Sequence, residues 1–381
     1  MLAPLRVDDQ FVRLAKQSGA VGGHHNQNFV QPLTTPMARL VGGTPGDPVL
    51  VRMPRTDAGS VVVRTWQDES TLLRSLESHL PHAPRLLATT STATVLSYVE
   101  GIPLSRLCAS GSPLPDQRVL DLVELLTQTM SVRRTALPEL PDGWPHGDRD
   151  SQGFLRALMH LADRQIRESN WPTYGGLFTR LGVPEDVLKR MAESVPRMAN
   201  RPFSLLHGDL HLDNVIVTTH GFPSLIAVDW ELATFGDPLY DLATHLVRTR
   251  YPVSQYAFVV EAWLKAVEPI SQDAVKGLET DLKHYIDFER AQSVFPDVIR
   301  AARRLSHQGG TESAHLEEAV SAVRGALQAG AAALGLHPVP DSATVRDALL
   351  EWQAASRPTS GTVPVDNSAD LSDRCAVALS H

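Results

Sequence analysis

Cysteine is nearly absent from the chain. Cys108 and Cys375 are the two in 381 residues, too few for a disulfide scaffold or a thiolate zinc site. Long apolar runs are missing too. Nothing approaches the roughly 20 consecutive apolar residues of a membrane span, and the Ala-rich GALQAGAAALG stretch near 325 reads as a packed helix. The first residues, MLAPLRVDDQFVRL, hold no secretory apolar core. Nor is there an excess of positive charge: 35 Lys and Arg stand against 43 Asp and Glu, a net charge of −8. A nucleic-acid partner is therefore not expected. These absences point to a cytoplasmic enzyme or binding protein; it is expected as a monomer or homodimer.

What is present divides unevenly along the chain. NFVQPL, PVLVRMP and TVLSYVE are short β-branched and aromatic runs with turn signals between them, and read as strands. TWQDESTLLRSLESHL between the last two carries Leu72, Leu73, Leu76 and Leu80 at helical spacing. After YVEG the pattern turns helical, with PDQRVLDLVELLTQTMSV, for which Asp116 is the expected cap, then residues 154–167, 184–199, 311–335 and 341–355, and a Pro/Gly/Asp-rich loop before residue 154. VIVTTHGFPSLIAVDW reads as strand, turn with Gly221 and Pro223, strand. The expectation is an α+β fold of two lobes: a β-rich one over 1–100, a larger α-helical one over 101–356, and a loose tail over 357–381.

The chemistry concentrates in HGDLHLDN, residues 207–214. Asp209 and Asn214 have four residues between them, the spacing at which one loop offers a carboxylate to an attacking hydroxyl and an amide oxygen to a metal ion on phosphates. The hairpin that follows ends in VDWE, placing Asp229 at a strand end as a second metal ligand. Glu231, two residues on, reads equally as a carboxylate reaching a second metal or the substrate and as a solvated loop residue. Asp237 before Pro238 starts a helix, and Asp241 falls on its first turn. Both are expected to brace the loop by hydrogen bonds.

These two blocks, LHGDLHLDNVIV and AVDWELATFGDPLYDLA, resemble the aminoglycoside phosphotransferase and choline kinase-like family, relatives of protein kinases. The resemblance implies a bilobal protein-kinase-like fold, a nucleoside triphosphate (ATP, with GTP open) bound with Mg2+, and a small-molecule hydroxyl acceptor. Asp209 is then the catalytic residue, and Asn214 and Asp229 the metal ligands. In the first lobe, Gly22, Gly23 and Asn26 match the phosphate-covering loop. Arg52 stands where protein kinases have lysine, with Arg55 as a competitor, and Glu69 on the next helix is its partner. The backbone from Ser97 to Val99 resembles the hinge that binds the base.

The acceptor expected is a hydroxyl of a small polar natural product, an antibiotic of aminoglycoside or nucleoside type, with a choline- or homoserine-type metabolite as the alternative. Glu231, Asp281, Asp287 and Glu289 are carboxylates that would hold ammonium groups, with Tyr285 and Arg290 as further contacts. Arg290, Arg300, Arg303 and Arg304 leave an anionic acceptor open. A zinc metallohydrolase built on His207, Asp209 and His211 is the rival from another class. A non-catalytic pseudokinase would lack one of Asp209, Asn214 and Asp229, and all three are present.

Overall fold

The computed structural model describes residues 7–18, 26–55, 61–80, 83–108, 111–219, 223–307 and 313–356. The first lobe opens with helix α1 (Val7–Ser18), strand β1 (Asn26–Pro32), α2 (Thr35–Val41) and β2 (Pro48–Pro54). Helix α3 (Glu69–Leu76) and strands β3 (Leu86–Thr89) and β4 (Thr94–Ser97) complete it. The four strands form an antiparallel sheet in the order β1-β2-β4-β3. Strand alternation sorts β2 between two cores. Val49 and Val51 join Phe11, Phe29 and Met37 under α1 and α2, whereas Leu50 packs against the large core that holds Leu72, Leu73 and Leu76 of α3. Arg52, two residues beyond Leu50, takes that same face.

Helix α3 starts where Asp68 accepts the Ser70 N–H at 2.9 Å, a side-chain cap on an otherwise orphaned backbone donor. Glu69, its first residue, is thereby fixed over the sheet.

The second lobe begins with the short strand β5 (Gly101–Pro103) and helix α4 (Asp116–Gln128). Helices α5 (Ser151–Ala162) and α6 (Ser169–Arg180) run on through a π turn at Asp163–Glu168, followed by α7 (Val187–Glu193). Four short strands come next: β6 (Ser204–Leu206), β7 (Val215–Thr218), β8 (Leu225–Ala227) and β9 (Thr234–Gly236). The expected hairpin is β7 against β8, in register Val215↔Ala227 and Val217↔Leu225, with β5 on its other edge. β6 pairs with β9, Leu205 opposite Phe235. Helices α8 (Pro238–Thr249), α9 (Val253–Val267), α10 (Leu278–His307), α11 (Ser313–Leu334) and α12 (Ser342–Ser356) follow. The fold is thus α+β and bilobal, of the protein-kinase-like class. No helix among the described residues is long and apolar enough to cross a membrane.

Three local readings need correction. Residues 184–199 hold helix only over Val187–Glu193; Pro184 and Pro196 bracket it, and neither can donate a helical hydrogen bond. Asp116 is the first helical residue and not the cap, since Pro115 takes the capping position. Helices α1 and α2 and strand β3 are additional to the expected elements. The glycines Gly22, Gly23 and Gly221 and the tail from 357 lie outside the described residues.

Candidate active site

The loop after β6 is held from beneath by α8. Asp237 caps that helix by accepting the Leu239 N–H at 3.0 Å. It also takes Arg201, which carries no exposed surface, at 2.7 Å and the Tyr285 hydroxyl at 2.8 Å. One turn on, Asp241 accepts the backbone N–H of His207 at 2.9 Å and of Gly208 at 2.8 Å. Gly208 sits at φ +71°, and a Cβ there would collide with the Leu232 carbonyl oxygen, so glycine is the residue this turn admits. His207 is buried against Trp230, ring centroids 4.6 Å apart, with Nε2 3.2 Å from the Val228 carbonyl. Its Nδ1 receives the Asp209 N–H at 3.3 Å. Burial drives its pKa down to about 4. Both ring nitrogens are thus turned to the backbone, which is at odds with zinc ligation.

Asp209 and Asn214 meet across the loop. The Asn214 amide donates to the Asp209 carbonyl at 3.0 Å and to its Oδ2 at 3.1 Å. With Nδ2 committed in this way, Oδ1 is the end of the amide with no hydrogen-bond partner among the described residues. Asp209 Oδ1 receives the guanidinium of Arg248, and His211 Nε2 lies 3.5 Å from it. Burial raises the Asp209 carboxyl, but Arg248 and His211 outweigh it and hold the group well below the usual carboxylate range.

Asp229 follows β8 in a left-handed conformation, φ 68° and ψ 68°. A non-glycine residue there stores strain of about 1–3 kcal/mol, a cost often met at functional positions. Its Oδ1 takes Arg52 Nη1 at 3.0 Å. The same nitrogen is 2.5 Å from Glu69 Oε2, while Glu69 Oε1 accepts the Trp230 N–H at 2.9 Å. One arginine therefore ties β2, α3 and the end of β8 together. Burial lowers the Arg52 pKa, but Glu69, Asp229 and Glu231 together raise it above its usual value. Arg52 Nε is buried with no partner among the described residues. Arg55, past the end of β2, is exposed.

Glu231 accepts Arg64 at 2.9 Å and Asn26 Nδ2 at 3.3 Å. Burial, then the neighbouring Asp229, pushes its carboxyl up to about 7 against the pull of Arg64. The structure thus gathers Asn26, Arg52, Glu69, Asp229 and Glu231 into one set of contacts, and the Val228 N–H, one residue before Asp229, donates to the Asn214 carbonyl at 2.9 Å, which joins the Asp209–Asn214 loop to the same strand end. At the hinge, Ser97 already gives its N–H to the Arg85 carbonyl at 2.9 Å and its Oγ accepts the Arg85 N–H at 2.8 Å. Val99, the other end of the expected hinge, is half-buried between β4 and β5.

The residues proposed to contact an acceptor fare differently. Tyr285 has no exposed surface, and Asp281 binds Arg201 at 2.7 Å and the Ala199 N–H at 2.8 Å, so both are structural. Asp287 pairs with Lys283 at 3.2 Å on the outer face of α10. Glu289 is fully buried and grips Arg248 Nε at 2.7 Å. It can reach an acceptor only through that arginine. Arg248, Arg64 and Arg201 are the site residues that sequence reasoning missed. A cavity of about 360 Å³ behind the loop, lined by Leu80, Leu125, His207, Leu210, Ala227 and Trp230, includes none of these charged groups.

Among the described residues no group of three or more His, Cys, Asp or Glu side chains clusters to hold a metal alone. The Asp229 carboxylate and Asn214 Oδ1 are hard oxygen donors. That is the partial set Mg2+ accepts when phosphates and water supply the rest.

A two-lobed kinase-like fold, with a loop carboxylate and amide facing a strand-end carboxylate and an arginine–glutamate pair, defines a class of phosphotransferases. A sequence model of the phosphotransferase enzyme family matches residues 36–278, more than half of the chain. The chain belongs to that family. Among curated proteins none matches it. Among solved structures it is similar to LicA in complex with AMP, at 16% identity and a TM-score of 0.50, over 86% of this chain and 97% of that one. The choline kinase LicA from Streptococcus pneumoniae gives 16% and 0.49 over 86% and 98%. A putative aminoglycoside phosphotransferase from Ralstonia eutropha gives 14% and 0.48 over 92% and 98%. At these identities the likeness is one of fold.

Proposed function

We propose that the chain transfers the γ-phosphate of a nucleoside triphosphate, ATP before GTP, to a hydroxyl of a small polar acceptor. The observation that carries this reading is the convergence of Asp209 and Asn214 from one loop with Asp229, Arg52 and Glu69 from the other side. In this reading residues 1–100 hold the nucleotide and 101–356 supply the loop and the acceptor surface.

Asn214 Oδ1 and the Asp229 carboxylate would hold Mg2+, which when bound neutralises phosphate charge. Arg52, oriented by Glu69 and with a buried Nε still unpaired, would bind phosphate oxygen; a guanidinium does this through paired N–H groups. Asn26, at the start of β1, stands over the same side. Gly22 and Gly23 would cover the phosphates, and Val99 would offer backbone to the base. Asp209 accepts the hydrogen bond of the incoming hydroxyl and orients its oxygen for in-line attack. Its depressed pKa makes it a weak base, so it positions the hydroxyl and does not abstract the proton early. That suits a loose transition state in which nucleophile deprotonation is late. Catalysis by such a site is mostly positioning and charge stabilisation.

The geometry gives no support to ammonium recognition by the four carboxylates, because Arg64, Arg201, Lys283 and Arg248 engage them. The test is transfer of label from γ-labelled ATP or GTP to a panel of aminoglycosides, nucleosides, choline and hydroxylated amino acids, with and without Mg2+. Mg2+-dependent transfer to a hydroxyl supports the reading. Failure of the protein to bind either nucleotide with Mg2+ would sink it.

A further inference from the structure

We infer that the acceptor carries an anionic group, a carboxylate or a phosphate, held by an arginine rim of Arg248, Arg250, Arg300 and Arg304 beside Asp209. The inference rests on the phosphotransfer reading and names the substrate class of the same site.

The rim is built where the C-terminal end of α8 packs along α10. Arg248 lies in the last turn of α8 and touches Asp209 itself. Arg250 closes that helix in the left-handed conformation, φ 55° and ψ 47°. Glycine is the usual residue there, and arginine stands there against the backbone preference. On α10, Asp297, Arg300 and Arg304 are spaced by three and four residues, which stacks them on one helix face. Arg300 Nη1 donates to Asp297 Oδ1 at 3.3 Å.

These groups act on one another. Asp297 is in the field of Arg300, Arg250 and Arg248, and Arg300 in that of Asp297, Arg248, Asp209 and Arg304. Arg248 thus touches Asp209 and Glu289, Arg300 touches Asp297, and Arg250 and Arg304 add their charge to the same field of four guanidinium groups and three carboxylates. Glu289 has no exposed surface, so an incoming molecule faces four positive charges and two negative ones. Burial first, and then its arginine neighbours, lowers the pKa of Arg300 in spite of Asp297 and Asp209. An added anion would relieve that crowding, and a guanidinium binds carboxylate and phosphate alike through paired N–H groups. A cationic acceptor would have to approach Asp209 past the same arginines. Because Arg248 touches the carboxylate that orients the hydroxyl, the anion would sit within a small molecule's length of the reacting oxygen.

The test uses the full chain saturated with Mg2+ and a non-hydrolysable ATP analogue, whose own binding is measured first. Glucuronate, glucose 6-phosphate, glucose and glucosamine are then titrated by saturation-transfer NMR. They share one ring and differ in charge. At least one anion is expected to bind about tenfold more tightly than glucosamine, as charge complementarity against like-charge repulsion would give. Which anion binds better separates carboxylate from phosphate recognition. The R300Q/R304Q double variant is expected to lose that advantage and leave glucose unchanged. Asp297→Asn removes the competing carboxylate and is expected to strengthen anion binding, a gain that damaged folding cannot mimic. Glucosamine binding as tightly as both anions, neither anion binding, or an R300Q/R304Q variant indifferent to charge each overturns the inference and leaves the kinase reading standing. An analogue that does not bind removes the kinase reading itself, and the inference with it.

Discussion

The carboxylate of Asp241 accepts the backbone N–H of Gly208 at 2.8 Å. The partner oxygen serves His207, so one helix side chain fixes the two residues that lead into Asp209. Asp241→Asn would point an NH2 group at one of two buried backbone donors. An unsatisfied buried donor costs about 1–3 kcal/mol. Urea unfolding should show a loss of that size, and transfer activity should fall further than nucleotide binding does. An Asp241→Asn protein with wild-type stability and turnover would mean the loop holds its shape without this brace.

Arg52 and Arg55 make a second comparison. Arg52 is buried against Glu69 and Asp229, whereas Arg55 is exposed. Removing one partner of a buried ion pair costs about 3–5 kcal/mol, because Glu69 would be left uncompensated. Arg52→Ala should therefore lower the melting temperature and weaken Mg2+-nucleotide binding, with Arg52→Met partly restoring the packing but not the binding. Arg55→Ala should change both far less. Calorimetry on the three variants decides it, and a crippled Arg55→Ala would shift the nucleotide-facing register of β2 by an odd number of residues.

The line between what the sequence revealed and what it hid has a physical origin. Strands β1, β2 and β4, the β7–β8 hairpin, the Asp237 cap and the Asp241 brace all follow from local periodicity or from groups that bond nearby backbone. Arg248 was hidden although it stands seven residues after Asp241, two turns along the same face of α8; the pattern was there to be used. Arg201 and Arg64 had no such signal, for their partners lie 36 and 167 positions away. The roles expected for Asp281 and Glu289 failed for a related reason. A carboxylate on a helix reads as solvent-facing until a distant arginine is seen to pair with it. Helix α1 escaped notice because its apolar content is low, and β3 because its four residues, LLAT, are too few to show an alternation; packing on the sheet stabilises both more than intrinsic propensity does.

His245 gives a pH prediction. It is buried between the Leu210 carbonyl and the Tyr251 hydroxyl, each at 2.8 Å from a ring nitrogen. Burial lowers its pKa from 6.5 to about 4. The unfolded chain thus binds more protons than the native one between those values. Stability rises with pH across this window, and is lost as pH falls from 6.5 toward 4. At pH 5 this residue should account for about 2 kcal/mol of the loss. His245→Gln cannot titrate, so its unfolding free energy should change less between pH 7.5 and pH 5 by that amount. An unaltered difference in urea titrations at the two values would place the acid sensitivity elsewhere.

Asp209 and Asp229 should separate acceptor chemistry from metal binding. Asp209→Ala removes the carboxylate proposed to orient the hydroxyl. Asn214 nevertheless keeps its 3.0 Å bond to the residue's backbone carbonyl, so its Oδ1 should stay in place. Arg248 keeps Glu289. Mg2+-nucleotide affinity is therefore expected within about threefold of wild type, while transfer falls by about 10²-fold or more, the order of loss when a reacting group is misplaced. Asp229→Ala should do the reverse in binding, abolishing the Mg2+ dependence of nucleotide affinity, and it also leaves Arg52 with Glu69 alone. Fluorescence titration of a labelled nucleotide with and without Mg2+, beside single-turnover transfer, reads both quantities in each variant. Equal loss of nucleotide affinity in the two variants would contradict the division of roles, as would near-normal transfer by Asp209→Ala.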